Sequence, residues 1–96
     1  MFIISSRYTK PLSEVDALLE AHKEFLKKHY SLGHFIASGR KIPRSGGVIL
    51  VKCSDRAELD RIIAEDPFTI GGVAEYEITE FAASMTAEGL EFIREG

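Results

Sequence analysis

Apolar residues recur along the chain with two different periods, and the switches between them outline the elements. Met1 to Tyr8 is rich in β-formers and ends at Thr9-Lys10-Pro11, the pattern of a first strand. Val15, Leu18, Leu19, His22, Phe25, Leu26 and His29 then repeat at helical spacing, and Gly33 supplies the stop. Ser13 is placed to cap this one long helix, with Asp16 three positions on as a variant of the capping box. His34 to Ile42 reads as a second strand. The turn Pro43 to Gly47 leads into a third, Val48 to Cys53. Asp55 caps a second helix running through Glu65, with Leu59, Ile62 and Ile63 inward. After a turn at Thr69 to Gly72, Val73 to Ala82 forms a fourth strand. Thr86 then opens a short terminal helix over about residues 87–95 that carries Leu90 and Ile93.

The order βαββαβ plus a tail predicts a single α+β domain over residues 1–96 with a ferredoxin-like antiparallel sheet and both helices on one face. The other face is then uncovered. The third strand is nevertheless apolar on both sides, Val48 and Leu50 one way and Ile49, Val51 and Cys53 the other, and Phe2, Ile3 and Ile4 repeat this in the first strand. Soluble monomers rarely expose such a surface, so a homodimer packed through the sheet face is expected.

Composition changes this picture only by exclusion. Hydrophobic content of 45% with 28% charged residues suits a soluble globular domain of 96 residues that folds without staples. The single Cys53 allows no disulfide framework and no paired-cysteine metal or redox motif, which favours a reducing compartment. The start of the chain fits neither a signal peptide nor a membrane span, so a cytoplasmic protein without membrane contact is expected. A net charge of -3 offers no general attraction to nucleic acid, and the basic stretch Gly39 to Arg44 suits a solvated loop.

Two positions carry chemistry. His22 puts an imidazole in the middle of an apolar helix stripe, between Leu19 and Leu26. Asp66 lies seven residues past Leu59 on the inward side of the second helix, where an unpaired carboxylate is costly, and Pro67 ends that helix and biases Asp66 toward an extended backbone. Both point into the layer between helices and sheet. They suit an acid/base dyad, the carboxylate fixing the imidazole tautomer. The pattern equally suits a core histidine bonded to backbone, with Asp66 capping the turn made by Pro67 and Phe68.

The helical histidine, the stretch LGHFIASGR, the DPF after the second helix and the glycine before the last strand together resemble the YciI-like family, through about Phe81. The resemblance implies a dimeric α+β barrel similar to muconolactone isomerase, and an active-site pair at His22 and Asp66. Some members act as dehydrochlorinases on chlorinated hydroquinones. Many members carry an arginine where this chain has Leu19, and a Gly-Pro where it has Gly39 and Arg40. Arg40 or Arg7 is the candidate replacement for an anion-binding arginine, and each also suits a solvated strand end. Tyr8, Phe25 and Phe68 are candidate pocket walls, although each suits the core better.

Other chemistries fit less well. His22 and His29 are seven residues apart, about 10.5 Å of helix rise, too far to share one ion, so no metal site is expected and no cofactor either. Ser5, Ser6 and Ser38 have no nucleophile elbow around them. Gly46 and Gly47 precede a strand rather than a helix, which excludes a phosphate loop. The third strand lacks the aromatics of an RNA-recognition sheet. Two readings remain. One is a small enzyme of isomerase, lyase or dehydrochlorinase type acting by proton transfer on a small cyclic or aromatic metabolite. The other is a non-catalytic dimeric binding or accessory domain that holds a small ligand in the same pocket. Dry, tightly filled surroundings of His22 or an open cavity beside it is the discriminating feature.

Overall fold

The computed structural model describes residues 1–95; Gly96, the last residue of the expected domain, lies outside them. The elements run β1 (Phe2–Tyr8), α1 (Leu12–Ala17), α2 (Leu19–Ser31), β2 (Phe35–Arg40), β3 (Gly47–Val51), α3 (Arg56–Glu65), α4 (Pro67–Ile70) and β4 (Ala74–Glu80), with a single 3₁₀ turn at Glu91–Ile93. The strands form one antiparallel sheet in the order β2-β3-β1-β4. This is the βαββαβ arrangement that the periodicity predicts.

Alternation decides which side chains each sheet face receives. Phe2, Ile4, Ile49 and Val51 point to the helices and make the main core with Phe25 and Phe35, closed from the α3 side by Leu59 and Ile62. A smaller cluster of Val15, Phe68 and Val73 sits under α1 and α4. On the opposite sheet face Ile3, Val48 and Leu50 are half-buried. The tail returns to one end of the sheet: the Met1 amino group pairs with Glu95 at 3.0 Å, and Lys52 Nζ donates to the Phe92 carbonyl at 2.5 Å. Phe81, Met85 and Phe92 on that tail remain exposed.

Local structure departs from the sequence expectation in three places. The first helix is two helices, interrupted at Leu18 (φ −103°, ψ 0°), whose side chain packs against the bare backbone of Gly71, where a Cβ would sit 2.4 Å from its Cδ1. Its N-cap is Pro11 rather than Ser13, with no side-chain bond, and Asp16 turns away to pair with Arg44. The tail winds only one 3₁₀ turn, and Thr86 caps nothing. Elsewhere the local rules hold. Asp55 accepts from the Glu58 amide at 2.9 Å, and Gly33 takes the left-handed conformation (φ +81°) that stops α2.

The turn between β2 and β3 crosses unusually close to β1. A Cβ on Gly46 would lie 1.8 Å from the Ser6 carbonyl oxygen, whereas one on Gly39 would meet nothing within 4 Å. Gly46→Ala is therefore expected to lower stability by about 1–3 kcal/mol or more, because backbone must move. Gly39→Ala is expected to stay within about 0.5 kcal/mol of the parent. Urea midpoints of the two variants check the contrast.

Candidate active site

Asp66 is brought to the site by a change of direction. The proline after it forbids the helical conformation, so Asp66 ends α3 in an extended geometry (φ −66°, ψ 123°). The same residue begins α4, with Pro67 in the first turn and the Asp66 carboxylate accepting from the Phe68 amide at 2.9 Å. The side chain is thereby aimed inward and is 4% exposed.

Opposite it, His22 sits on the inward stripe of α2. Its Nδ1 lies 2.8 Å from Asp66 Oδ1. The other carboxylate oxygen accepts from the Tyr76 hydroxyl, on β4, at 3.1 Å, and Thr69 Oγ1 donates to that hydroxyl at 2.9 Å. Burial pushes the Tyr76 phenol well above the ordinary tyrosine value, the Asp66 charge adding to this while the Thr69 bond opposes it. Tyr76 is thus a neutral donor. Because an ionised carboxylate only accepts, this ring of donors suits Asp66 as an anion, and His22 Nδ1 carries the hydrogen that faces it.

That arrangement fixes the other nitrogen. With Nδ1 donating to Asp66, a neutral His22 keeps its lone pair on Nε2, which makes no bond with the protein and is not sealed from solvent. The Phe68 ring lies flat on the imidazole, 3.9 Å between centroids and 6° between planes. Rotation of the imidazole is blocked on that side.

His22, Asp66, Phe68, Tyr8 and Tyr76 line a cavity of about 500 Å³ between the helices and the sheet. Its far wall is the β2–β3 hairpin, with Ser38, Arg40 and Arg44, and Lys23 stands on the α2 side. Among the described residues Asp66 is the sole acidic one lining the cavity, against three cations, of which Lys23 is paired with Glu20 and Arg44 with Asp16. Arg44 is held by Asp16, a hydrogen bond that raises it further above the ordinary arginine value, and lies 5.9 Å over the Tyr8 ring. Arg40 forms no ion pair among the described residues.

Of the residues singled out by sequence, the structure gathers His22, Asp66, Arg40, Tyr8 and Phe68 around one cavity. Arg7 points to the opposite sheet face and pairs with Glu75. Phe25 belongs to the core, its ring 6.0 Å from that of His22 and outside the cavity lining. Tyr76 and Arg44 are additions. Alternation along β4 puts Tyr76 on the helix side opposite Ser6, a signal present in the sequence; Arg44 depends on the path of the hairpin turn, for which the sequence holds none. Among the described residues no cluster of histidine, cysteine and carboxylate side chains could hold a metal ion, and no helix is long and apolar enough to cross a membrane.

No curated protein matches the chain in sequence. Among solved structures it is similar to the 5-chloro-2-hydroxyhydroquinone dehydrochlorinase of Burkholderia phenoliruptrix AC1100, in complex with 2,5-dihydroxybenzoquinone. The TM-score is 0.70 at 16% identity, covering 86% of this chain and 95% of that one. At that identity the likeness is one of fold. The profile of the YCII-related domain matches residues 1–82, from the first strand past the fourth, and includes both members of the His22–Asp66 pair. The chain belongs to the family of YCII-related domains.

Proposed function

We propose that the protein is an acid/base enzyme of isomerase or lyase type, dehydrochlorination included, acting on a small cyclic or aromatic metabolite. The observation that carries this reading is a buried aspartate bonded to one nitrogen of a cavity-lining histidine whose other nitrogen is unbonded and not sealed from solvent. His22 Nε2 takes a proton from the substrate. The imidazolium that results is stabilised by Asp66 at 2.8 Å and returns the proton at a second position or to a leaving group. Asp66 stays an anion throughout, held by Phe68 N and Tyr76.

The cavity also suits a particular charge. Lys23 and Arg44 are already paired with Glu20 and Asp16, which leaves Arg40 on the hairpin side to receive an acidic group of the substrate, a carboxylate or an ionised phenol. A likeness of fold to an enzyme acting on a chlorinated hydroquinone agrees with an aromatic ring of that kind. The rings of Tyr8 and Phe68, edge to face with 6.0 Å between centroids and 88° between planes, form the apolar wall.

The assembly belongs to the same reading. Half-buried Ile3, Val48 and Leu50 on the outer sheet face, together with Phe81, Met85 and Phe92 exposed on the tail, support a homodimer closed through the uncovered sheet faces as an α+β barrel. Light scattering on the eluting protein should give about twice 10.7 kDa at micromolar concentration. A mass of one chain across that range would remove the dimer.

His22→Gln is expected to keep the fold and lose about 10²- to 10⁴-fold in kcat, the usual contribution of a positioned proton-transfer group. Asp66→Asn should lose less, since asparagine still caps α4 and touches the ring but can hold the wrong tautomer. Steady-state kinetics on substituted hydroquinones and cyclic lactones check both; His22→Gln within threefold of the parent would exclude His22 as the base. Unchanged binding of an acidic aromatic with no turnover by the parent would favour the non-catalytic binding domain instead. Arg40→Ala should raise KM about tenfold with kcat little changed, the sign of binding energy felt equally in ground and transition states.

A further inference from the structure

Strand register arranges the inward side chains of the sheet in rows that cross all four strands. One row holds Ser38, Ile49, Ile4 and Ile78, and its three isoleucines pack into the main core. The next row toward the hairpin turn reads Arg40, Gly47, Ser6 and Tyr76 from β2 to β4. Arg40 pairs with Gly47 and Ser6 with Tyr76, while the Gly47 amide donates to Ser6 Oγ at 2.8 Å and joins the two halves. Two long side chains thus flank two small ones. All four of these residues line the cavity.

The small pair makes the floor. A Cβ on Gly47 would stand 3.1 Å from the Gly39 carbonyl oxygen and 3.7 Å from Ser6 Oγ, so a methyl enters there with only a slight shift and projects into the cavity. Ser6 Oγ accepts from the Gly47 amide and donates to the Gly47 carbonyl at 3.3 Å, which commits its hydrogen to the neighbouring strand. The hydroxyl neither attacks nor recognises a ligand. What Ser6 and Gly47 provide is depth, next to a row that isoleucines fill.

Helix α2 makes the roof. It carries His22 on the β4 side, where Asp66 links the imidazole to the Tyr76 hydroxyl. Its last turn reaches the other edge of the sheet, where Tyr30 and Ser38 share a hydrogen bond of 2.7 Å. Along β1 the next inward residue after Ser6 is Tyr8, which closes the floor toward the hairpin turn.

We propose that Ser6 and Gly47 are the specificity-determining floor of the cavity, on which the substrate ring rests with its acidic group toward Arg40 and its reacting carbon toward His22. The inference rests on the acid/base reading above and adds an orientation to it. Three strand spacings, roughly 14 Å, separate β2 from β4, and the side chains of both edges reach inward across that width. Cation and base therefore address opposite edges of one ring. The substrate class narrows to cyclic acids whose ionised group lies across the ring from the proton to be moved. An acid with the two groups on adjacent carbons meets Arg40 or His22 but not both.

Titration calorimetry with 4-hydroxybenzoate and 2-hydroxybenzoate reads this without any turnover. The first carries its carboxylate and hydroxyl at opposite ends of the ring, the second side by side. The parent should bind the 4-isomer about tenfold or more tighter, the effect of one added hydrogen bond to a charged group, and Arg40→Ala should lose that preference. Gly47→Ala adds one methyl to the floor and should weaken 4-hydroxybenzoate about tenfold or more. Nuclear Overhauser contacts from the ring protons to Gly47 Hα of the labelled full chain should place the ring on the floor. Equal affinity for the two isomers, no binding of either at millimolar concentration, or undiminished affinity in a folded Gly47→Ala would overturn the proposal. If Gly47→Ala does not fold, the contacts in the parent decide: their presence supports the floor and their absence removes it. A parent that passes every one of these tests yet turns over no substrate would keep the floor and remove only the enzyme.

Discussion

Everything at this site depends on how a carboxylate is kept out of water. Removing an ion from solvent costs several kcal/mol unless donors replace the lost hydration. Asp66 finds three, the His22 ring on α2, the Phe68 amide on α4 and the Tyr76 hydroxyl on β4. Each comes from a different element, so the two helices and the strand must meet where α3 ends. Sequence pattern alone leaves two roles open for Asp66, partner of His22 or cap of the Pro67–Phe68 turn. The carboxylate performs both at once, one oxygen accepting from the ring and the amide together. Site and fold are therefore stabilised by the same contact.

Much of this was legible from periodicity. The βαββαβ order, the faces of β1 and β3, the Asp55 cap and the convergence of His22 with Asp66 all follow from residues that repeat at a period of two or at helical spacing. The inward stripe from Val15 to His29 was correct even though the helix that carries it is broken. Pattern reading is strong where many residues point to one answer, as they do for the sheet.

The rest failed for identifiable reasons. The break at Leu18 has no proline or glycine to announce it, and the side chain at that position packs on a residue more than fifty positions away, Gly71, a contact that local pattern does not carry. The four-residue helix α4 is too short to show a period, and its signal, aspartate followed by proline, reads equally as a turn. Arg7 lies on the opposite sheet face from Ser6 and Tyr8 by simple alternation, which keeps this strand-end arginine out of the pocket that its charge would suit. Arg44 reaches the cavity along a turn whose path depends on tertiary contact, the passage of Gly46 over the Ser6 carbonyl.

The flat contact between Phe68 and His22 has a further consequence. An aromatic face carries negative potential, and a cation placed over it gains about 0.5–2 kcal/mol according to how far water is excluded. At 3.9 Å and nearly coplanar, the Phe68 ring attracts the imidazolium more than the neutral imidazole. Leucine at position 68 would fill a similar volume in the small core under α1 and α4 but would lack that quadrupole. The aromatic ring thus acts on the same charge as Asp66 from a perpendicular direction, an apolar side chain serving as the second electrostatic neighbour of the histidine.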